Sequence, residues 1–344
     1  MIQIGGTTMS LSKDYRLPEN RREYFTALYR MNLEHRVMPG LVYLYMPELA
    51  RVEGWDNEQK LWFAFLNGNT QNPITSYRIF REFPERPRTT EEFKRITDYF
   101  NDNWGTLSFD QDRRHQKRDF PDAVVRYHAL VREVGSQEAL LTGDFDALWN
   151  KVFHFYYGFG RLASFSYLEY VKIMGFGDQC TNLFLDDKQG SKSHRNGLLF
   201  LLGLDDQVLD KRLDNGQDGE YGGSTAFKKM CAWLGSQANE YLRTCGIKHE
   251  DLGYFTFESQ CCTFKNGFFG RRSPGIYADM AWERIKWYED RGMKDITKPF
   301  RKMREVLPDW LRMECEDGEP SINDGRTKKF AETGFPHRGE FFLT

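Results

Sequence analysis

This sequence predicts an all-α fold, a single helical domain, on three observations. Aromatic side chains are abundant, with 28 Phe, 17 Tyr and 8 Trp. Val, Ile and Thr are sparse and rarely alternate with polar residues as half-buried strands require. Apolar residues recur instead at three- and four-residue intervals, the spacing of a helix face. A chain of 344 residues suffices for a sizeable core, and no internal repeat or low-complexity linker divides it. Formal net charge is −2, so contact with a polyanion rests on local basic patches rather than on a global field. Six cysteines without CxxC spacing fit neither a disulfide framework nor a zinc site and read as reduced thiols of a cytoplasm. The longest apolar run, Leu198 to Leu202, is far short of a membrane span, and the N-terminus lacks a charged-then-apolar signal, so a soluble, non-exported protein is expected.

Residues 1–18 show little periodicity and are expected as a tail; residues 19–312 form the helical domain, and 313–344 an acidic tail. The first helix spans roughly Glu19 to Leu33, with Tyr24, Phe25, Leu28 and Tyr29 on one stripe. Another begins near Asn57. Asn72 as cap and Pro73 at the first helical position start a helix over Ile74 to Phe83. It is entered through Gly68-Asn69-Thr70-Gln71, which reads either as an ordinary connection or as a polar ledge for a base or phosphate. Pro84 to Pro87 break the chain, and Thr90 with Glu91 and Glu92 opens a helix to about Trp104. The run Arg113, Arg114, His115, Lys117, Arg118 reads as a solvated face or as a grip on a sugar-phosphate backbone. A helix over Pro121 to Glu133 follows, with His128 as a core histidine.

From Phe145 to Met174 the pattern is helix, glycine turn, helix. Gly158 and Gly160 permit the tight turn, the second helix exposes its first amides, and Arg161 stands beside them. The segment with Asp186, Asp187, Lys188, Ser191, Lys192, His194 and Arg195 precedes an apolar helix that Ser191 or Ser193 could cap. Residues 205–223 read as an exposed acidic loop without the closing glutamate of an EF-hand. Thr225 to Thr244 and Ile276 to Arg291 read as amphipathic helices, the latter ended by Gly292. Between them, Glu258, Cys261, Cys262, Lys265, Arg271, Arg272, Tyr277 and Asp279 crowd an acid, thiols, an amine and guanidinium groups into a short stretch. That composition suits a site better than a packing element, with Cys261 or Cys262 as a buried small hydrophobe the plainer alternative.

The segments FESQCCTFKNGFFGRRSPG, YYGFGRLASFSYLEY and DDKQGSKSHRNGLLFLLG resemble the α-glutamyl/putrescinyl thymine pyrophosphorylase family of phages, also called amino acid:DNA transferases. That family is related in fold to helix-hairpin-helix DNA glycosylases. The resemblance covers roughly Trp62 to Arg291. Its motifs fall on Gly158 and Gly160, on Asp186, Ser191 and Arg195, and on Glu258, Cys262 and Lys265. It implies a reaction on DNA carrying 5-(pyrophosphoryloxymethyl)uracil, in the cytoplasm of the infected host. An amino acid, glycine first, or another amine displaces pyrophosphate from the exocyclic methylene carbon of an extruded base.

Under that resemblance Glu258 takes the amine's proton, with Asp186 as substitute. Lys265, Arg271, Arg272 and Arg195 meet the departing pyrophosphate, and magnesium is the one cofactor the reaction leaves room for. Cys262, its pKa depressed by Lys265 and Arg271, either adds to the uracil ring or merely packs the wall. Ser191, Asn69, Gln71, Tyr277 and Asp279 complete the substrate pocket. Gly158, Gly160, Arg161, Arg113, Arg114, Lys117 and Arg118 contact DNA. A DNA glycosylase, a non-catalytic reader of modified DNA and an enzyme of free nucleotides stand as alternatives.

Overall fold

The computed structural model describes residues 2–4, 7–9, 13–110, 113, 116–186, 192–207, 225–247, 253–312 and 325–336. Beyond two short strands at the start of the chain, the regular elements described are helices. The strands, Ile2–Ile4 and Thr7–Met9, pair antiparallel with Ile2 opposite Met9. They fall where an aperiodic tail was expected. The described residues group into two units, each assembled from segments distant in sequence.

The first unit takes Met1–Met38, Asn182–Met280 and Pro308–Thr344. Its helices are Pro18–Glu34, Lys192–Leu201, Thr225–Thr244, Tyr254–Phe268, Asp309–Arg312, Gly325–Thr333 and the start of Ile276–Glu289. Phe25 sits at the centre of an aromatic core, edge-on to Tyr29, Tyr241, Phe257 and Phe264, the arrangement that ring quadrupoles favour. The Lys192–Leu201 and Tyr254–Phe268 helices come into close contact at Gly197. A Cβ there would lie 2.2 Å from the Cys261 carbonyl oxygen, so only glycine lets the two backbones approach this far.

The C-terminal tail contains a helix that sequence reading did not foresee. Phe330 of Gly325–Thr333 stacks on Tyr24 at 4.6 Å and meets Phe268 edge-on. Burying one such ring stabilises by roughly 1.5–3 kcal/mol, enough to seat a short helix whose sequence is otherwise polar.

The second unit takes Pro39–Thr181 and Ala281–Leu307. Its helices are Val42–Glu53, Asn57–Thr70, Pro73–Glu82, Thr90–Asp102, Phe120–Val134, Gln137–Leu140, Phe145–Phe155, Arg161–Ile173, Lys294–Arg304 and the remainder of Ile276–Glu289. Caps set their starts as expected. Asn72 Oδ1 accepts from the amides of Ile74 and Thr75, and Asp56 with Gln59 forms a capping box. Thr89, one residue ahead of the expected start, forms another with Glu92. Tyr127 stacks on Phe65 at 3.8 Å, and Gly68 makes room for Phe159 and Tyr167.

Candidate active site

Within the first unit, Glu258, Cys262 and Lys265 follow one another at helical spacings of four and three on the Tyr254–Phe268 helix, so they share a face. The Lys192–Leu201 helix brings Ser193 and His194 to that face. Lys265 Nζ donates to Ser193 Oγ at 3.1 Å. His194 Nε2 lies 2.9 Å from the Leu183 carbonyl oxygen. A carbonyl only accepts, so Nε2 carries a hydrogen and the tautomer is assigned. His194 Nδ1 stands 3.1 Å from Glu258 Oε1, with the imidazole side chain 1% and the carboxyl 13% exposed. With Nε2 committed to Leu183, Nδ1 and the Glu258 carboxylate are the two places in the pair where a proton can sit.

The thiol of Cys262 belongs to the same cluster, within reach of Asn266 Nδ2 at 3.5 Å. Burial pushes its pKa up, and Glu258 adds to the rise; Arg272, Lys265 and a hydrogen bond with Ser193 pull the other way without prevailing. The expected depressed pKa is thus reversed, because the carboxylate one turn away and the dry surroundings outweigh the cations. Cys261 is fully buried against Gly197.

Arg272 and Tyr277 border this cluster. The guanidinium lies over the Tyr277 ring at 5.3 Å, and the Tyr277 hydroxyl is 2.9 Å from Thr263 Oγ1. Both Cys262 and Glu258 act electrostatically on Tyr277. Asp279 is buried in the first turn of the Ile276–Glu289 helix. Arg271 is exposed and stands beside Phe269.

Arg195 is a correction. It is 1% exposed, donates to the Leu185 carbonyl oxygen at 2.8 Å and lies over the Phe227 ring. It braces the entry to its helix rather than offering an open guanidinium to pyrophosphate. Asp186 is exposed, and its charge acts on Cys231, whose thiol burial pushes up to about 11. No contact places Asp186 with Glu258 among the described residues. Ser191, with Asp187 and Lys188, lies outside them.

Within the second unit, the basic run and the glycine turn are brought together. Arg113 Nη1 donates to the Gly158 carbonyl oxygen at 3.1 Å and its Nε to that of Asn69 at 3.2 Å. A Cβ on Gly158 would fall 1.3 Å from the Gln116 amide. Arg113 is buried, a strut under the turn with Nε and Nη1 both given to backbone carbonyls. Arg161 is likewise buried, over Phe165. Lys117 is tied to the Trp104 carbonyl and ring. Arg118 is 82% exposed and pairs with Asp119, while Arg114 and His115 lie outside the described residues. Gly158 and Gly160 are exposed at the tip. Asn69 is fully buried, donating to the Phe65 carbonyl, so the ledge reduces to Gln71, whose Nε2 reaches Ser166 Oγ at 3.3 Å.

Sequence reading missed the pairing of His194 with Glu258. The signal was present in the apolar run after His194, which marks that turn as facing inward. Among the described residues no group of three or more His, Cys, Asp or Glu is placed to hold a metal ion. No described helix is long and apolar enough to cross a membrane.

The amino acid:DNA transferase family matches residues 42–273, the greater part of the chain, including Glu258, Cys262, Lys265, Arg271 and Arg272. A serinyltransferase of Salmonella phage ViI is 28% identical over 363 aligned residues, which take in 95% of this chain and 84% of the relative. No solved structure matches. The chain therefore belongs to the amino acid:DNA transferase family, transferases that act on DNA with an amino acid.

Proposed function

We propose that this protein joins a small α-amino acid to 5-(pyrophosphoryloxymethyl)uracil in phage DNA within the infected cell, releasing pyrophosphate. The α-amine nitrogen attacks the exocyclic methylene carbon. The carbon–oxygen bond breaks with its electron pair leaving on pyrophosphate, and the surplus N–H proton passes to the enzyme. The observation that carries this reading is the buried His194–Glu258 pair beside Lys265. An amine attacks only after losing its proton, and a carboxylate backed by an imidazole nitrogen is suited to accept it. Lys265 and Arg272 supply positive charge where the leaving group gathers negative charge. Cys262, held protonated by its surroundings, lines the wall and is not a nucleophile in this scheme.

The name of the phage ViI relative favours serine as the amino acid, with glycine the smaller alternative. The helix pair around Gly158 and Gly160 supports a kinship with helix-hairpin-helix glycosylases, and extrusion of the target base goes with it, since the methylene carbon of a stacked base is hard to reach. Purified protein incubated with pyrophosphorylated hydroxymethyluracil DNA and an amino-acid mixture, followed by digestion to nucleosides and mass spectrometry, tests the proposal. The expected product is a nucleoside heavier by the amino acid in place of pyrophosphate. Release of free base would show a glycosylase, and unaltered DNA a reader.

A further inference from the structure

The second unit holds a mixed-charge cluster that no role above uses. Tyr43 of the Val42–Glu53 helix donates its hydroxyl to Glu169 Oε1 at 2.8 Å, and Glu169 is 5% exposed. Arg284 of the Ile276–Glu289 helix pairs with Asp110, whose backbone amide is held by the Thr70 carbonyl at 2.9 Å. The Tyr170 hydroxyl stands among all of these: it bonds Ser166 and feels Glu169, Asp110 and Arg284. Gln71, bonded to Ser166, ends the Asn57–Thr70 helix as a left-handed C-cap at φ 47°. Five segments of the chain thus deliver two carboxylates, a guanidinium, two phenols and an amide to one place. Arg284 Nη1 is buried with no acceptor among the described residues.

The Arg284–Asp110 pair is only partly buried, its side chains 15% and 28% exposed, and such pairs add little to stability. With the buried Glu169 carboxylate it offers both signs of charge to a ligand. We infer that this cluster binds the free amino acid as its zwitterion, Arg284 taking the α-carboxylate and Glu169 with Asp110 the α-ammonium. A guanidinium matches a carboxylate with two parallel hydrogen bonds, and paired acidic oxygens match an ammonium. A diamine would leave Arg284 facing no anion, and a DNA phosphate would meet Glu169 and Asp110 with like charge. Binding exchanges partners: Asp110 gives up Arg284 to the incoming carboxylate and turns to the ammonium. Tyr43 positions Glu169, and Gln71 with Ser166 closes the small-side-chain end. The inference rests on the reading of the chain as an enzyme that takes a free amino acid.

Isothermal titration of the full chain with serine, glycine and putrescine, without DNA, tests it. Serine or glycine should bind and putrescine should not. Arg284→Gln and Glu169→Gln should each weaken amino-acid binding by ~10-fold or more. Arg284→Lys, which keeps the charge but loses the fork, should fall between. If Arg284→Gln does not fold, Tyr43→Phe serves, removing one hydroxyl and raising KM for the amino acid more than it lowers kcat. Amino-acid binding absent at millimolar concentration, unchanged in these variants, or matched by putrescine would overturn the assignment. Transfer onto DNA with KM unmoved by Arg284→Lys and Tyr43→Phe would overturn the site and leave the reaction standing. Binding that follows the variants, with no DNA product, would do the reverse.

Discussion

Replacing Glu258 by glutamine changes one oxygen to an amide and removes only the capacity to take a proton. His194 keeps its Nε2 bond to the Leu183 carbonyl, and the new amide can donate to Nδ1 across the 3.1 Å now spanned by the carboxyl. Packing is preserved, so stability should change by less than about 1 kcal/mol. Alanine is the worse probe, since it strips the buried Nδ1 of its partner at a cost of ~1–3 kcal/mol and confuses folding with chemistry. Loss of a general base lowers rate by ~10²–10⁴-fold, which is ~3–5 kcal/mol in the barrier at 1.36 kcal/mol per factor of ten. The assay is single-turnover transfer to modified DNA, with denaturant unfolding and DNA affinity measured alongside. Glu258→Gln should fold and bind DNA like the parent, turn over in the stated range, and recover partly as pH rises and free amine accumulates in solution. A variant that transfers as fast as the parent would refute the role of Glu258.

Further outcomes follow from other contacts. Gly197→Ala forces a Cβ against the Cys261 carbonyl oxygen; it should destabilise by ~1–3 kcal/mol in urea unfolding and lower transfer by parting His194 from Glu258. Cys262→Ser should retain turnover, and alkylation of Cys262 in the folded protein should accelerate only above the usual thiol range, since burial and Glu258 raise its pKa. Glu289 titrates below its ordinary value, chiefly through its bond to Arg301. A depressed carboxyl stabilises above the unfolded pKa and loses that contribution as pH falls through the folded one. Arg301→Ala should therefore cost up to ~1 kcal/mol near neutrality and nothing once Glu289 is protonated in both states, as urea unfolding across pH would show.

Much of the helical architecture was legible because it is local. The Thr225–Thr244 helix has the ends that its periodicity predicts, and the Asn72-Pro73 start is a cap whose hydrogen bonds span three residues. Glu258, Cys262 and Lys265 could be read as one stripe for the same reason. Long-range partnerships left no local mark. Asp110 and Arg284 lie 174 positions apart, and nothing near either names the other. Charge also misleads about exposure: Arg113 and Arg195 look like cations for phosphate, yet both are buried, with Nε and Nη1 of Arg113 and Nη1 of Arg195 given to backbone carbonyls and an aromatic ring beside each. The Gly325–Thr333 helix escaped notice because its seat depends on Phe330 reaching Tyr24 at the other end of the chain.

The proposed reaction is one coupled event, in which a carbon–nitrogen bond to an amino acid forms as pyrophosphate leaves DNA. Supplying serine labelled with ¹⁵N and counting pyrophosphate against label fixed in DNA measures it directly. Equal amounts, with the ¹⁵N bonded to the methylene carbon of the modified base and both quantities lost together in Glu258→Gln, are the predicted result. Label that stays out of DNA while pyrophosphate is released would contradict it.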